Sequence, residues 1–356
     1  MTAFAQGHTV GQIVPISRRQ LLTFELEEDG QRRDLGTDHW IRVYRTAMAC
    51  RFEVVLRDGD AVHLSAARAA LDEADRLEAL LTVFRDTSAL VRVNRMAGDG
   101  AAPAEPELFD LLQLSSLMHA ATGGAFDVTS TPLSRCWGFL RREGRLPPPA
   151  EIDAARARVG MQHVELDPAR RTIHFRRPGI ELNLGAIGKG YALDRMAELL
   201  RSRGCRQAVL SAGGSSVLAI GGGRPALSGV EGPGWTVDLR SRQVARERIA
   251  RLRLRDGALA TSGAGEQFVD VEGTRYGHVL DPRTGWPASG VISASVVTRD
   301  AAVADALSTA CLVAGESLAA RYCAANPETL VMLTPDGGSE RCRVFGSYRG
   351  VEVEDV

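Results

Sequence analysis

The hydrophobic period of this chain switches repeatedly between two and about 3.6 residues, and no strand–helix–strand unit recurs. That irregularity is the tightest constraint on the fold. A regular βαβ rhythm would call for a parallel sheet wrapped in helices; helices and hairpins in irregular order call for an α+β fold with largely antiparallel sheets. Trp40-Ile-Arg-Val-Tyr-Arg45 and Met48-Ala-Cys-Arg-Phe-Glu-Val-Val-Leu56 read as strands in hairpin relation. Ser65 to Leu81 is an amphipathic helix with Leu71, Ala74, Leu77 and Leu81 on one face. A second helix runs from about Glu105 to Ala121, with Pro106 in its first turn and Gly123-Gly124 past its end. Residues 163–183 read as a hairpin around Asp167-Pro-Ala-Arg-Arg171. A helix after Lys189 turns Leu193, Met196, Ala197 and Leu200 inward and stops at Gly204. A buried strand, Gln207-Ala-Val-Leu-Ser211, comes next, and strands dominate again from Trp235 to about Val297. Helices are expected over 301–314 and 317–325, with strands closing the chain. Residues 1–38 are polar and aperiodic and read as a poorly ordered extension, and the glycine-rich stretch 221–234 reads as a mobile loop.

Composition narrows the function. A net charge of −1 and a pI near 6.7 leave no dominant basic face, which argues against a nucleic-acid protein. The six cysteines are scattered, with no CxxC pair and no histidine at metal-ligand spacing; Cys205 and Cys311 sit in apolar runs and read as core thiols. Ser17-Arg-Arg-Gln-Leu-Leu22 resembles the start of a twin-arginine export signal, but Thr-Phe-Glu-Leu-Glu-Glu-Asp-Gly follows where an apolar segment is needed. No stretch is expected to span a membrane, and no early cysteine offers a lipid anchor. The chain as written is expected in the cytoplasm.

One residue stands out against that composition. Of the 43 basic residues only Lys189 is a lysine. Where arginine serves everywhere else, a remaining lysine marks a place that wants a compact ammonium rather than a planar guanidinium. It sits in Glu181-Leu-Asn-Leu-Gly-Ala-Ile-Gly-Lys-Gly190, a glycine-rich passage from strand into helix. The passage is not a Walker A loop, because the glycine spacing is short and no hydroxyl follows the lysine. Glycines, a helix N-terminus and Lys189 together still describe a phosphate-binding turn.

Other motifs carry chemistry more weakly. In the 301–314 helix, Val303, Leu307, Ala310 and Ala314 form an apolar face, and Asp305 and Thr309 fall together on the opposite side. A carboxylate and a hydroxyl one turn apart are hard oxygens suited to Mg²⁺; a solvated Asp beside a Thr bonded to its own helix is the plainer alternative. Gly124-Ala-Phe-Asp127-Val-Thr-Ser-Thr is a hydroxyl-rich turn with one carboxylate. His278, in Tyr276-Gly-His-Val-Leu-Asp281-Pro, is either an acid–base group or a structural histidine, and Asp281 before Pro is a turn residue. No GxSxG, HExxH or GxGxxG occurs, which removes common hydrolase, zinc-protease and dinucleotide-fold readings.

The order of these motifs resembles the ApbE family of FAD:protein FMN transferases. The run is Met48-Ala-Cys, Phe84-Arg-Asp-Thr-Ser88 through Asn94, Gly123-Gly-Ala-Phe-Asp127-Val-Thr, and Gly185-Ala-Ile-Gly-Lys189-Gly-Tyr. It continues through Ala212-Gly-Gly, Ala260-Thr-Ser-Gly263, Tyr276-Gly-His278-Val-Leu-Asp281-Pro-Arg-Thr-Gly285 and Ala304-Asp305-Ala-Leu-Ser-Thr309. The resemblance covers about residues 40–315 and implies one T-fold-like α+β domain over 39–350, with mixed, largely antiparallel sheets and packed helices. It implies Mg²⁺-dependent transfer of FMN from FAD to a Thr or Ser hydroxyl of an acceptor protein bearing a flavinylation motif, with release of AMP. Asp305, Thr309 and the main chain at Ala186 would hold the metal. Met48, Phe84, Ala125, Phe126, Asp127, Asn183 and Lys189 would line the FAD, with His278 also at the flavin site as the base and Lys189 as the catalytic cation. Many relatives are periplasmic or membrane-anchored.

This chain departs from the family pattern at several positions. Asn183 and Ser215 stand where Asp is usual, Ala49-Cys50 replaces Gly-Thr, and Ala264-Gly265 replaces an Asp–aromatic pair. Two other activities share the same residues: hydrolysis of FAD to FMN and AMP, and flavin binding without catalysis.

Overall fold

A computed structural model of the chain describes residues 22–23, 40–223, 234–240, 248–265, 268–271, 273–336 and 342–355. The expected extension 1–38, apart from 22–23, and the middle of the glycine-rich loop lie outside the described residues.

Eight strands form one antiparallel sheet in which spatial order follows chain order. They are β1 (Trp40–Ala47), β2 (Cys50–Arg57), β3 (Ala208–Ala212), β4 (Ser216–Ile220), β5 (Gly257–Gly263), β6 (Val291–Thr298), β7 (Thr329–Pro335) and β8 (Arg343–Ser347). Every central strand is buried on both faces, so adjacent residues go to different cores. Val54 and Val296 enter one cluster with the helices, while Val55 and Val297 enter another with Trp235, Val237 and Leu252. This two-sided burial explains the continuous apolar run of β3, where an alternating pattern would mark a half-exposed strand.

A second antiparallel sheet covers one face. It is built from Leu22–Thr23, Trp235–Arg240, Arg248–Leu254 and Val351–Asp355. The other face carries four principal helices: α1 (Leu64–Leu81), α2 (Pro106–Ala121), α3 (Gly188–Ser202) and α4 (Ala301–Ala325). The last packs against β5, β6 and β7 on one side and α3 on the other. A smaller core around Leu133, Trp137, Phe139 and Ile152 holds the hairpin Phe268–Val271/Thr274–Gly277 and the loop after it.

The hairpin expected over 163–183 is confined to Val164–Asp167 and Thr172–Phe175; the residues after it bend and turn at 176–179 and carry no regular structure from there to the glycine turn. The two expected C-terminal helices are the halves of α4, which breaks at Gly315 (φ 64°, ψ −151°). By length and composition α4 passes for a membrane span, contrary to the sequence expectation, yet 67% of its apolar window is buried inside the protein. It is the core helix of the layer, apolar on nearly all sides because it is enclosed on nearly all sides. The same enclosure corrects the expected two-faced α4: Asp305 does not lie on an outward side but is 4% exposed.

Candidate active site

The glycine turn is held from three directions. Asn94 clamps Leu182, its amide donating to the Leu182 carbonyl at 2.9 Å and its carbonyl accepting the Leu182 N–H at 2.8 Å. The Asn183 N–H donates to the Val128 carbonyl at 2.7 Å, tying the turn to the segment after Asp127. The Asn183 side-chain oxygen accepts the Gly185 N–H at 2.9 Å, an Asx turn that brings the chain round to α3. Lys189 therefore stands in the first turn of α3, with Ala186 two residues before the helix begins.

From there Lys189 reaches across to α4. Its ammonium lies 3.3 Å from Asp305 Oδ1 and 3.4 Å from Oδ2. The Gly190 N–H donates to Asp305 Oδ2 at 3.1 Å, and the Ser216 hydroxyl at the start of β4 donates to Oδ1 at 3.4 Å. A buried carboxylate is thus met by a cation, a backbone donor and a hydroxyl, as burial of charge requires. One turn along α4, Thr309 Oγ1 donates to the Asp305 carbonyl at 3.3 Å and lies 3.1 Å from Ser262 Oγ of β5. Ser262 Oγ is also 2.8 Å from Ser308 Oγ. β5 sends Ala258, Ala260 and Ser262 to the helix face and Leu259 and Thr261 to the other, so strand periodicity delivers this hydroxyl.

The approach of α3 to α4 has a simple cause. A Cβ at position 190 would fall on the Ala301 carbonyl, so only glycine allows the helices to meet here. Asp194, one turn further along α3, accepts the N–H groups of Ala301 and Ala302 at 2.7 and 2.8 Å and so caps α4 from outside. Burial pushes the Asp194 pKa up to about 7, against the opposing pull of those two donors.

A second cluster surrounds Asp127. Its Oδ1 accepts from Thr129 N at 2.7 Å and Thr129 Oγ1 at 2.5 Å, and its Oδ2 accepts from Met161 N at 3.2 Å. His119 Nδ1 of α2 lies 3.1 Å from the same Oδ2. Burial works to lower the His119 pKa, but its hydrogen bond to Asp127 and the carboxylate charge outweigh that and raise it. Asp127 is therefore fully engaged in shaping its turn. Ala125 and Phe126 are each 1% exposed with side chains in the core, so this segment offers a ligand only its backbone.

The remaining predicted residues lie in turns and loops between the main elements. Met48 and Ala49 form the two-residue turn between β1 and β2, both with left-handed backbone (φ 48° and 56°). The Met48 N–H donates to Glu78 Oε2 at 2.9 Å, and Glu78 Oε1 accepts from Arg85 at 3.3 Å. Phe84, beside Arg85, is 78% exposed. His278 packs edge-on to Phe139 with centroids 6.5 Å apart. Its loop is anchored by Trp137 Nε1, which donates to the Gly285 carbonyl at 2.9 Å. Asp281 closes the turn, its carbonyl accepting the Gly285 N–H at 2.7 Å, as expected of a residue before proline. Gly277 approaches the Ala264 carbonyl so closely that a Cβ would lie 3.0 Å away, which brings the backbone before His278 beside the exit of β5.

The same segments recur as a unit in other proteins. The sequence profile of the ApbE family matches residues 36–333. The chain belongs to the ApbE family. It is 32% identical over 260 residues to the FAD:protein FMN transferase of Treponema pallidum, covering 69% of this chain and 72% of that one. It is 30% identical over 277 residues to an FAD:protein FMN transferase of Klebsiella pneumoniae strain 342, covering 76% of each. Its fold matches the crystal structure of the ApbE protein from Thermotoga maritima with a TM-score of 0.76 at 28% identity, over 87% of this chain and 97% of that one. The ApbE match encloses both clusters and the glycine turn.

Sequence reasoning missed several residues of this candidate site: Glu78, His119, Asp194, Ser216, Ser262 and Ser308. Ser216 and Ser262 stand in or beside quoted motifs, but nothing in one strand says which residue of another element it will meet. Asp194 does carry a signal, lying four residues after Gly190 and so on the same helix face.

Proposed function

We propose that this protein transfers FMN from FAD to a Thr or Ser hydroxyl of an acceptor protein, with Mg²⁺, releasing AMP. The observation that carries the reading is the buried Asp305 carboxylate, joined to Lys189 beneath the glycine turn and set among the hydroxyls of Ser216, Ser262 and Thr309. It is supported by relatives that bear the name FAD:protein FMN transferase.

The donor set fits a hard divalent cation. Among the described residues no group of three His, Cys, Asp or Glu side chains stands ready for a softer metal. One carboxylate with hydroxyl, carbonyl and substrate oxygens is the manner in which Mg²⁺ is usually held. Asp305, Thr309 and the Ala186 carbonyl would hold it. Bound there, Mg²⁺ would neutralise charge on the pyrophosphate and on the departing phosphate.

The protein's own groups account for the rest. The N-terminus of α3, the amides of the glycine turn and Lys189 would bind the pyrophosphate. Backbone at 125–127, with Met48, Phe84 and Asn183, would line the flavin. His278 would take the proton from the acceptor hydroxyl as its oxygen forms a bond to the flavin-side phosphorus. The bond from that phosphorus to the bridging oxygen breaks, and AMP leaves with the electron pair. Positioning and charge neutralisation dominate phosphoryl transfer, so a site built from pre-set donors suits it.

The test is incubation with FAD, Mg²⁺ and an acceptor carrying a flavinylation motif. AMP and a covalently fluorescent acceptor should appear together. AMP with free FMN identifies a pyrophosphatase instead, and bound FAD without AMP identifies a flavin-binding protein.

A further inference from the structure

We propose that Lys189 is a built-in counter-cation that occupies the metal position of Asp305 until a divalent ion displaces it, so that metal entry and release of the ammonium toward substrate phosphate are one event. This rests on the reading of Asp305 as a metal ligand.

Three observations carry it. The ammonium is almost equidistant from both Asp305 oxygens, at 3.3 and 3.4 Å, so it straddles the edge a metal would use. The carboxylate is 4% exposed, and its other partners, Gly190 N–H and Ser216 Oγ, are neutral. The Lys189 side chain is 24% exposed against 6% for that of Asp305, so the charge resides on a flexible stem with an outward route. Asp305 is fixed in the second turn of α4, whereas a lysine stem can swing without moving its helix.

A buried carboxylate needs compensation at all times. The metal-free protein obtains it from Lys189. A divalent ion on the same oxygens would repel the ammonium, which turns outward past the N-terminus of α3, where the pyrophosphate is expected. Substrate phosphate then receives a cation that was unavailable before metal entry. The coupling is reciprocal: phosphate that holds the ammonium away favours the metal.

The experiment is titration of nucleotide-free protein with Mg²⁺ alone, followed by calorimetry, together with melting curves in EDTA and in saturating Mg²⁺. Lys189→Met removes the competitor and keeps the stem. It should bind Mg²⁺ about tenfold more tightly than the wild type, the factor expected from releasing roughly one modest ion pair. It should also melt several degrees lower in EDTA and return to the wild-type value in Mg²⁺. The double variant Lys189→Met/Asp305→Asn, which carries neither charge, should regain the stability in EDTA and lose the metal. Equal or weaker Mg²⁺ binding by Lys189→Met overturns the proposal while leaving Asp305 a metal ligand. A Lys189→Met protein that stays destabilised in saturating Mg²⁺, or a double variant equally unstable in EDTA, overturns it by making Lys189 a packing residue. Absence of Mg²⁺ binding in the wild type and in Lys189→Met overturns this inference, and absence of it also with FAD present overturns the metal reading beneath it.

Discussion

Lys189 and Asp305 lie 116 residues apart in the chain and meet at 3.3 Å, so the choice of cation at 189 is set by a partner on another helix. Arginine preserves the charge but presents a rigid fork that can engage both Asp305 oxygens at once. Lys189→Arg should therefore slow transfer by about tenfold or more, equivalent to roughly 1.4 kcal/mol, with little change in melting temperature. Exposed arginine-to-lysine changes are the controls; a Lys189→Arg enzyme as active as those controls would make the lone lysine an accident of composition. His278 is argued as the base, and a base typically contributes about 10²–10⁴-fold. His278→Ala should lose most transfer while binding FAD normally in a fluorescence titration; loss of FAD binding with an intact turnover number would assign it to binding alone. Ala49 offers a stability test. It holds φ 56° in the β1–β2 turn, a conformation that costs an L-residue about 1 kcal/mol, so Ala49→Gly should raise stability by about that amount. An unchanged or lower denaturant midpoint would show that the turn carries no such strain.

The junction of α3 and α4 is the element that sets the site, because one helix brings Lys189 and the other Asp305. Gly190 permits their contact and Asp194 fastens it. Gly190→Ala should separate the helices and lower both stability and Mg²⁺ affinity, although alanine favours helix over glycine by roughly 1 kcal/mol elsewhere. A stabilised, fully active Gly190→Ala protein would mean that the contact is looser than described. Asp194 gives a pH signature. Its folded pKa, about 7, lies above the ordinary carboxylate value of 3.8. The associated stability is therefore fully present below about pH 4 and is lost as pH rises toward and through 7. Asp194→Asn does not titrate, so its melting temperature should gain on that of the wild type between pH 4 and 7.5. Parallel curves would show that Asp194 keeps an ordinary carboxylate pKa.

Across the whole molecule, the legible parts were those that local chemistry decides. Helix α2 was announced by Pro106 and Gly123-Gly124, and the β1–β2 hairpin by its two strand-like runs. The core thiols Cys205 and Cys311 followed from their apolar runs, and burial pushes Cys311 up to about 12. What failed was whatever depends on enclosure. An Asp on an apolar helix looks outward in sequence, because periodicity cannot tell that sheet, α3 and β4 surround it on all sides. The strand-borne hydroxyls were invisible as partners for the same reason: Ser216 and Ser262 acquire roles only when the sheet is laid against α4. Asp305, so enclosed, is proposed as the charge around which transfer occurs. Its most direct test is Asp305→Asn, which keeps the shape and two polar atoms in the buried site, assayed for AMP release from FAD in Mg²⁺ with an acceptor protein present. Asp305→Asn should fold, as verified by its melting transition, release no AMP above background and leave the acceptor unlabelled. A folded Asp305→Asn protein that releases AMP and labels the acceptor at the wild-type rate would contradict it.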